Sequence, residues 1–142
     1  MGVILNLVYM LVILLASPWL FYCAVVKGKY REGFGQKLLG LAPRIGEDGD
    51  NGDKQKTVWL HAVSVGEVNL LGTLIAEIGR QKPDWRCVIS TTTITGMRLA
   101  KKKYSDLTVF YCPLDFTWAT RTAVRRVRPD LLVMAELELW PN

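Results

Sequence analysis

After residue 56, the hydrophobic and polar positions of the chain alternate between two patterns. Short apolar runs rich in β-branched residues predict strands at 58–63, 86–91, 107–111 and 131–135. Between them, apolar residues recur three or four positions apart, which predicts three helices. The first covers about 66–82, the second follows the second strand and ends at Lys101–Lys103, and the third covers 115–127. This order of elements predicts an α/β fold with a Rossmann-like parallel sheet and helices on both faces.

Two of the predicted helices, the first and the third, have one apolar face each. In the first, this face contains Val68, Leu71, Leu74, Ile75 and Ile78. In the third, Ala119, Ala123, Val124 and Val127 are predicted to point inward, and the arginines at 121, 125, 126 and 128 outward.

The first 26 residues follow neither pattern, because positions 3–26 carry no charge and only Asn6, Ser17 and Pro18 are polar or helix-breaking. Such a length of apolar chain is enough for a helix that crosses a bilayer, so residues 1–26 are a predicted membrane anchor. Trp19, Phe21 and Tyr22 are also typical of a helix lying in the membrane interface, and the sequence leaves these two arrangements open. A cleaved signal peptide is disfavoured, since no basic residue precedes the apolar run.

Residues 27–56 are predicted to join this anchor to the domain at 57–142. Between positions 27 and 45 there is one acidic residue, Glu32, against five basic residues: Lys27, Lys29, Arg31, Lys37 and Arg44. This excess predicts that the domain lies on the cytoplasmic side, and it also suits contact with anionic headgroups. Residues 46–56 are rich in glycine and aspartate, which is typical of a linker.

Composition excludes several classes of function. The net charge of +5 is modest and no basic helix is interleaved with aromatic residues, so nucleic acid is not an expected partner. Three scattered cysteines and one histidine support neither a zinc site nor a disulfide framework. The 142 residues end seven positions after the fourth predicted strand, where an α/β pattern would normally continue, and we expect them to be the N-terminal part of a longer protein.

The junction between the first strand and first helix contains a candidate catalytic residue. Ser64 suits the N-cap, and Glu67 three positions later completes the spacing of a capping box. Gly66 permits close approach of the backbone or a ligand. Glu67 is therefore either a capping residue or, since ligands of open α/β sheets bind at the carboxyl ends of strands, a general base.

Polar residues also follow two other strands. Thr92 and Thr93 open the second helix and are candidates for binding an anion, with Thr95 as the expected plain N-cap. Glu136 and Glu138 follow the fourth strand, where they either end it, bind a cation or form an acid/base pair with Glu67.

Three runs in this order resemble the family of 3-deoxy-D-manno-octulosonic acid (Kdo) transferases. They are HAVSVGE at 61–67, STTTITG at 90–96 and ELELWPN at 136–142. The resemblance covers nearly the whole chain, with the apolar segment and the basic segment preceding the three runs. Leu137 differs from the polar residue of many relatives, and both glutamates of that run are retained.

This resemblance implies a GT-B glycosyltransferase of two Rossmann-like domains that works by inversion, without a metal or other cofactor. It would transfer Kdo from CMP-Kdo to the lipid A precursor, lipid IVA, at the cytoplasmic face of the inner membrane. The present chain would be the acceptor-binding half, with most of the CMP-Kdo site in a missing C-terminal domain. We therefore expect the chain alone to be inactive.

The resemblance also assigns roles to residues. Glu67 would be the general base, and Glu136 a second acidic residue needed for activity. Substrate contacts would come from His61, Ser64, Gly66, Thr92, Thr93 and Glu138.

Two other interpretations remain. One is a different membrane-associated GT-B transferase, which the absence of a glycine-rich loop after the first strand disfavours. The other is an anchored, non-catalytic α/β module that binds a nucleotide or a lipid headgroup.

Overall fold

The computed structural model describes residues 2–26, 32–45 and 55–135. Within them, β1 (Thr57–His61), β2 (Arg86–Thr91), β3 (Thr108–Tyr111) and β4 (Leu131–Met134) form a parallel sheet with the order β3-β2-β1-β4. The helices are α1 (Gly2–Val26), α2 (Phe34–Leu39), α3 (Val65–Gln81), α4 (Ile94–Lys103) and α5 (Thr117–Val127). The predicted parallel α/β arrangement is confirmed for these residues.

Strand β1 lies between β2 and β4, so the chain that leaves it lies at the middle of one sheet edge. Its last residue, His61, pairs with Ser90 of β2 and with Met134 of β4. Because all the pairings are parallel, the carboxyl ends of the strands lie at this same edge.

Each face of the sheet is covered by its own apolar cluster. On one face Val58, Leu60 and Ile89 pack with Val68 and Leu71 of α3. Full burial of side chains of this size is worth about 1.5–3 kcal/mol each. The apolar face predicted for α3 is confirmed at Val68 and Leu71, whereas Leu74 is exposed.

On the opposite face, Trp59, Val88 and Phe110 pack with Ala123 and Val127 of α5. Three of the four residues predicted to point inward from α5 are buried, and Val124 is the exception. Ala119, Ala123 and Val127 recur every four residues and so share one stripe, whereas Val124 lies about one hundred degrees around the helix from Ala123. Its predicted inward position is therefore wrong.

Residues 33–45 belong to the folded unit, although the sequence placed them in the segment before the domain. Ala42 and Ile45 are buried in the same cluster as Trp59. Gly40 ends α2 in a left-handed conformation, with φ of 67°, and a Cβ there would lie 1.9 Å from the carbonyl oxygen of Ala119. Only glycine lets α2 lie this close to α5.

Helix α1 forms over Gly2–Val26, with Pro18 inside it. Among the described residues, no helix is both long and apolar enough to cross a membrane. The membrane anchor stays a prediction.

Candidate active site

Glu67 lies at the amino end of α3, directly after the carboxyl end of β1. Ser64 is the N-cap, and its hydroxyl accepts the N–H of Glu67 at 3.3 Å. The Glu67 carboxylate in turn accepts the N–H of Ser64 at 3.1 Å and that of Val63 at 2.7 Å. The predicted capping box is therefore confirmed, and the side chain of Glu67 is only 6% exposed.

The surroundings of Glu67 favour its charged form. Burial acts to raise the pKa of this carboxyl, but hydrogen bonds with the Ser64 hydroxyl and the two backbone N–H groups, and the charge of His61, hold the pKa below its ordinary value. Glu67 is thus ionised at neutral pH. The same donors lower its affinity for a proton, which weakens it as a base.

Val63 joins this junction to the neighbouring one. Its N–H donates to Glu67, while its carbonyl oxygen accepts the hydroxyls of Thr93 at 3.0 Å and Thr91 at 3.4 Å. One peptide segment is thus held by a carboxylate on one side and by threonines on the other. Glu67 and Thr93, which the sequence predicted to share an edge, are brought together through Val63.

Helix α4 begins at Thr93, whose hydroxyl accepts the N–H of Gly96 at 3.1 Å. The N-cap predicted at Thr95 is therefore wrong, because Thr95 already lies inside the helix, where its hydroxyl approaches that of Thr93. As an N-cap, Thr93 uses its hydroxyl in two internal hydrogen bonds. An anion bound at this helix end would compete with these bonds for the Thr93 hydroxyl and the Gly96 N–H.

Sequence reasoning did not assign a role to Gly96. A Cβ at this position would lie 2.5 Å from the Thr91 hydroxyl oxygen, 2.8 Å from that of Thr93 and 3.4 Å from the Val63 carbonyl oxygen. Glycine is therefore required where the two junctions meet. Its place three residues after a threonine that follows a strand was the available signal. At Gly66, by contrast, an added Cβ would meet nothing nearer than the Ser64 hydroxyl at 3.7 Å, so close packing does not require glycine there.

His61 is buried at the end of β1, and its Nδ1 lies 2.8 Å from the hydroxyl oxygen of Ser90. The same oxygen accepts the indole N–H of Trp59 at 2.7 Å. This buried arrangement fixes the ring of His61 at the sheet edge. Direct contact with a substrate stays a prediction for this residue.

The remaining predicted residues divide into two groups. Ser64, Gly66 and Thr92 are exposed at the edge where a ligand can reach them. Glu136 and Glu138 lie outside the described residues, which end at Ala135 with its N–H donated to the His61 carbonyl oxygen at 2.9 Å. Their roles stay predictions.

The chemistry available at this edge is that of a held carboxylate. An ionised carboxylate offers about four lone-pair positions, so the two backbone donors and the Ser64 hydroxyl leave Glu67 able to accept one further hydrogen bond from a substrate hydroxyl. Within the described residues, no group of three or more histidine, cysteine, aspartate or glutamate side chains is placed to hold a metal ion.

Comparison with known proteins identifies the family. Residues 33–142 match the family described as 3-deoxy-D-manno-octulosonic-acid transferase (kdotransferase). The chain is 32% identical over 127 residues to the 3-deoxy-D-manno-octulosonic acid transferase of Chlamydia trachomatis serovar D, covering 88% of this chain and 28% of that protein. With the corresponding transferase of Haemophilus influenzae, it is 33% identical over 86 residues, or 60% of this chain and 20% of that protein.

A relative with a different described activity matches part of the same chain. The bifunctional glycosyltransferase/methyltransferase of Fusobacterium nucleatum is 36% identical over 105 residues, covering 70% of this chain and 16% of that protein. No solved structure matches the chain significantly. The chain thus spans less than a third of each of these curated relatives. Since the family match extends over most of its length, the chain belongs to the 3-deoxy-D-manno-octulosonic-acid transferase family.

Proposed function

We propose that this chain is the acceptor-binding half of an inverting GT-B glycosyltransferase that transfers Kdo from CMP-Kdo to the lipid A precursor, lipid IVA. The observation that carries the proposal is the family match over residues 33–142, which includes all three motif runs. The location of Glu67 at the carboxyl end of the central strand β1 agrees with it.

In the proposed reaction, Glu67 is the general base. A hydroxyl oxygen of the acceptor sugar attacks the anomeric carbon of Kdo and forms the new C–O bond. The bond from that carbon to the phosphate oxygen of CMP breaks, and CMP leaves with the electron pair. The hydroxyl proton passes to Glu67 during the attack, because a sugar hydroxyl is a poor nucleophile unless its proton is removed.

The fixed position of Glu67 supports this role in spite of its low proton affinity. Its carboxylate is already ionised and is held by the backbone of residues 63 and 64, so neither deprotonation of Glu67 nor a rotamer search has to precede the reaction. Positioning of this kind contributes a large part of enzymatic rate enhancement. A few exposed groups at the same edge, Ser64, Gly66 and Thr92, are available to bind the acceptor.

The donor and a second Rossmann-like domain are proposed to complete the enzyme. CMP-Kdo would bind mainly to that domain, and Glu136 would act as the second acidic residue. No metal takes part in the proposed mechanism. The domain would work at the cytoplasmic face of the inner membrane, where α1 and the basic residues that follow it meet the lipid acceptor.

The test is Kdo transfer by the complete protein with Glu67→Gln. Loss of the base is expected to lower kcat by about 10²–10⁴, with little change in the far-ultraviolet circular dichroism. Glu77→Gln is the matched control, because Glu77 lies on the exposed side of the same helix, where it pairs with Arg80, and its loss should leave transfer unchanged.

One observation favours the alternative of a non-catalytic binding module. Both oxygens of Glu67 accept backbone hydrogen bonds, as a residue with only a capping role would do. On that alternative, Glu67→Gln lowers stability and leaves the rate of transfer by the folded protein within a few-fold of the unchanged protein. This result would overturn the assignment of Glu67 as the base.

A further inference from the structure

Helix α1 contacts the domain through the polar side chains of its first turns. The amide of Asn6 donates to the Thr117 hydroxyl at 3.0 Å, and its oxygen accepts the Thr117 N–H at 3.2 Å. The Tyr9 hydroxyl donates to Asp115 at 2.9 Å. These contacts, called the polar seam below, attach the amino-terminal part of α1 to the start of α5.

Aromatic rings extend the seam along the domain. The Tyr9 ring meets Phe116 edge-on at 5.9 Å, and Phe116 stacks on Trp118 at 4.5 Å. The Trp118 indole N–H donates to the Leu38 carbonyl oxygen at 2.9 Å, which ties the seam to α2. Since α5 follows β3, the seam lies toward the carboxyl ends of the strands, the same edge as Glu67.

The polar seam limits the side of a membrane on which the two ends of α1 can lie. From Tyr9 to Val26 the helix is about 26 Å long, which is close to the thickness of a bilayer's hydrocarbon core, about 30 Å. A helix that crossed the bilayer from Val26 would thus place Tyr9 near the far side. Yet Tyr9 is bonded to Asp115, and only residues 27–31 separate Val26 from Glu32, which accepts the Tyr111 hydroxyl. Both ends of α1 therefore lie on the domain's side of the membrane.

The remaining faces of α1 are apolar and exposed. Among the described side chains of this helix, the large apolar ones that are exposed are Ile4, Leu7, Val8, Met10, Leu11, Val12, Ile13, Leu14, Leu15, Trp19 and Tyr22. The half-buried positions are Leu5, Asn6, Tyr9 and Ala16, which are spaced as one face of a helix. The domain thus covers one narrow face and leaves most of the apolar surface open, which indicates a membrane or protein contact.

A lipid bilayer fits this surface better than a protein groove does. A groove takes a single apolar stripe of a helix, whereas α1 is apolar on nearly every face that the domain leaves open. The sequence continues with Lys27, Lys29 and Arg31, charges that complement anionic headgroups. The polar groups of Asn6 and Tyr9 are bonded to the domain, and Ser17 donates to the Leu14 carbonyl oxygen, so these polar groups do not face acyl chains unpaired.

We infer that α1 lies in one leaflet alongside the domain instead of crossing the bilayer, and that the polar seam holds the edge with Glu67 against the lipid surface. This inference rests on the proposed membrane association and not on the transfer reaction. An acceptor carried in the same leaflet would then meet the carboxyl ends of the strands without leaving the membrane.

The experiment is thiol cross-linking of the complete protein bound to vesicles of phosphatidylethanolamine and phosphatidylglycerol. Asn6→Cys is combined with Thr117→Cys in a background with Cys23→Ser, Cys87→Ala and Cys112→Ser. The control pair is Leu15→Cys with Thr117→Cys, since Leu15 is exposed and lies about 13 Å further along the helix. Circular dichroism verifies that both variants fold.

We expect the 6–117 pair to cross-link on the vesicles at least about ten times more than the 15–117 pair, because cross-linking needs the two thiols within a few ångströms. Equal, background cross-linking of both pairs in protein that floats with the vesicles would overturn the inference, since α1 would then have left the domain. Failure to float would overturn the membrane location itself. Neither readout depends on transfer, so a failed transfer assay leaves this test intact.

Discussion

The two strand-to-helix junctions at the sheet edge share one capping geometry and differ most at the third helical residue. In each, a hydroxyl residue in extended conformation, Ser64 or Thr93, caps the helix by accepting the N–H of the third helical residue, at 3.3 and 3.1 Å. That third residue is Glu67 in the first junction and Gly96 in the second. At this position the first junction therefore carries a charged side chain, and the second carries no side chain.

The first junction supplies the candidate catalytic group, and the second supplies the close packing that supports it. The carboxylate of Glu67 returns to the backbone of Val63, and the absence of a side chain at Gly96 lets Thr91 and Thr93 reach the carbonyl of the same residue. A carboxylate at both junctions would place two like charges around one peptide, which is unfavourable. The pairing of one glutamate with one glycine holds the base candidate in a fixed position.

The largest expected effect on stability comes from filling the second junction. Gly96→Ala places a Cβ 2.5 Å from the Thr91 hydroxyl oxygen, in a site where the neighbouring threonines are held by hydrogen bonds. Overpacking of this kind costs about 1–3 kcal/mol, and we expect a net loss of about 2 kcal/mol in the free energy of unfolding. Urea unfolding followed by circular dichroism measures it.

Gly66→Ala is the matched control for that prediction. Its Cβ would meet only the Ser64 hydroxyl at 3.7 Å, and alanine is favoured over glycine in a helix by about 1 kcal/mol. Stability should therefore stay the same or rise slightly. Equal losses for the two alanine variants would contradict the claim that close packing distinguishes the junctions.

Removing the hydroxyl of the second junction should have the next largest effect. Thr93→Ala deletes the N-cap of α4 and the hydrogen bond to Val63, and N-cap losses alone cost about 0.5–2 kcal/mol. We expect a loss of about 1.5 kcal/mol for Thr93→Ala and a smaller one for Ser64→Ala, where Glu67 still accepts from the backbone. Thermal and urea unfolding of both variants measure the difference.

Thr93→Ser keeps the hydroxyl and is the control for this comparison. It should recover most of the stability lost in the alanine variant. If Ser64→Ala were the more damaging substitution, the bridge through Val63 would not be what stabilises the edge.

The sequence predicts the parts of this edge that depend on local pattern. The capping box at Ser64 and Glu67 follows from a spacing of three, and the parallel sheet follows from the alternation of strands and helices. The bridge at Val63 was not predicted, because it joins residues about 30 positions apart through a backbone carbonyl, which carries no side-chain signature. The requirement for glycine at position 96 has no sequence signature for the same reason, since it depends on Thr91 and Val63 elsewhere in the chain.

The segment before the domain shows the same limit of sequence reasoning. In residues 33–45, three glycines and Pro43 interrupt the apolar positions, so no helical period shows. Yet Ala42 and Ile45 are buried, and Gln36 accepts the N–H of Tyr111 at 2.7 Å. Gly40 permits this packing by its left-handed conformation against Ala119. Such contacts depend on a partner elsewhere in the chain, so a local pattern does not reveal them.

The smallest expected effect on stability is that of Glu67→Gln, and its pH dependence sharpens the contrast with Gly96. The pKa of Glu67 is lowered in the folded protein, so its ionised form stabilises the fold above the pKa of the unfolded chain, about 4.3, and this stabilisation is lost as the pH falls through the lower folded pKa. We expect Glu67→Gln to lower the free energy of unfolding by about 1 kcal/mol at pH 7, since hydrogen bonds to a charged acceptor are stronger than those to a neutral one.

Urea unfolding at pH 7, 5, 4 and 3 should show this difference in unfolding free energy shrinking below about pH 4. The difference for Gly96→Ala, which involves no ionisable group, should stay constant. A difference for Glu67→Gln that persists at pH 3 would mean that the charge of the carboxylate is not what holds it to Val63 and Ser64.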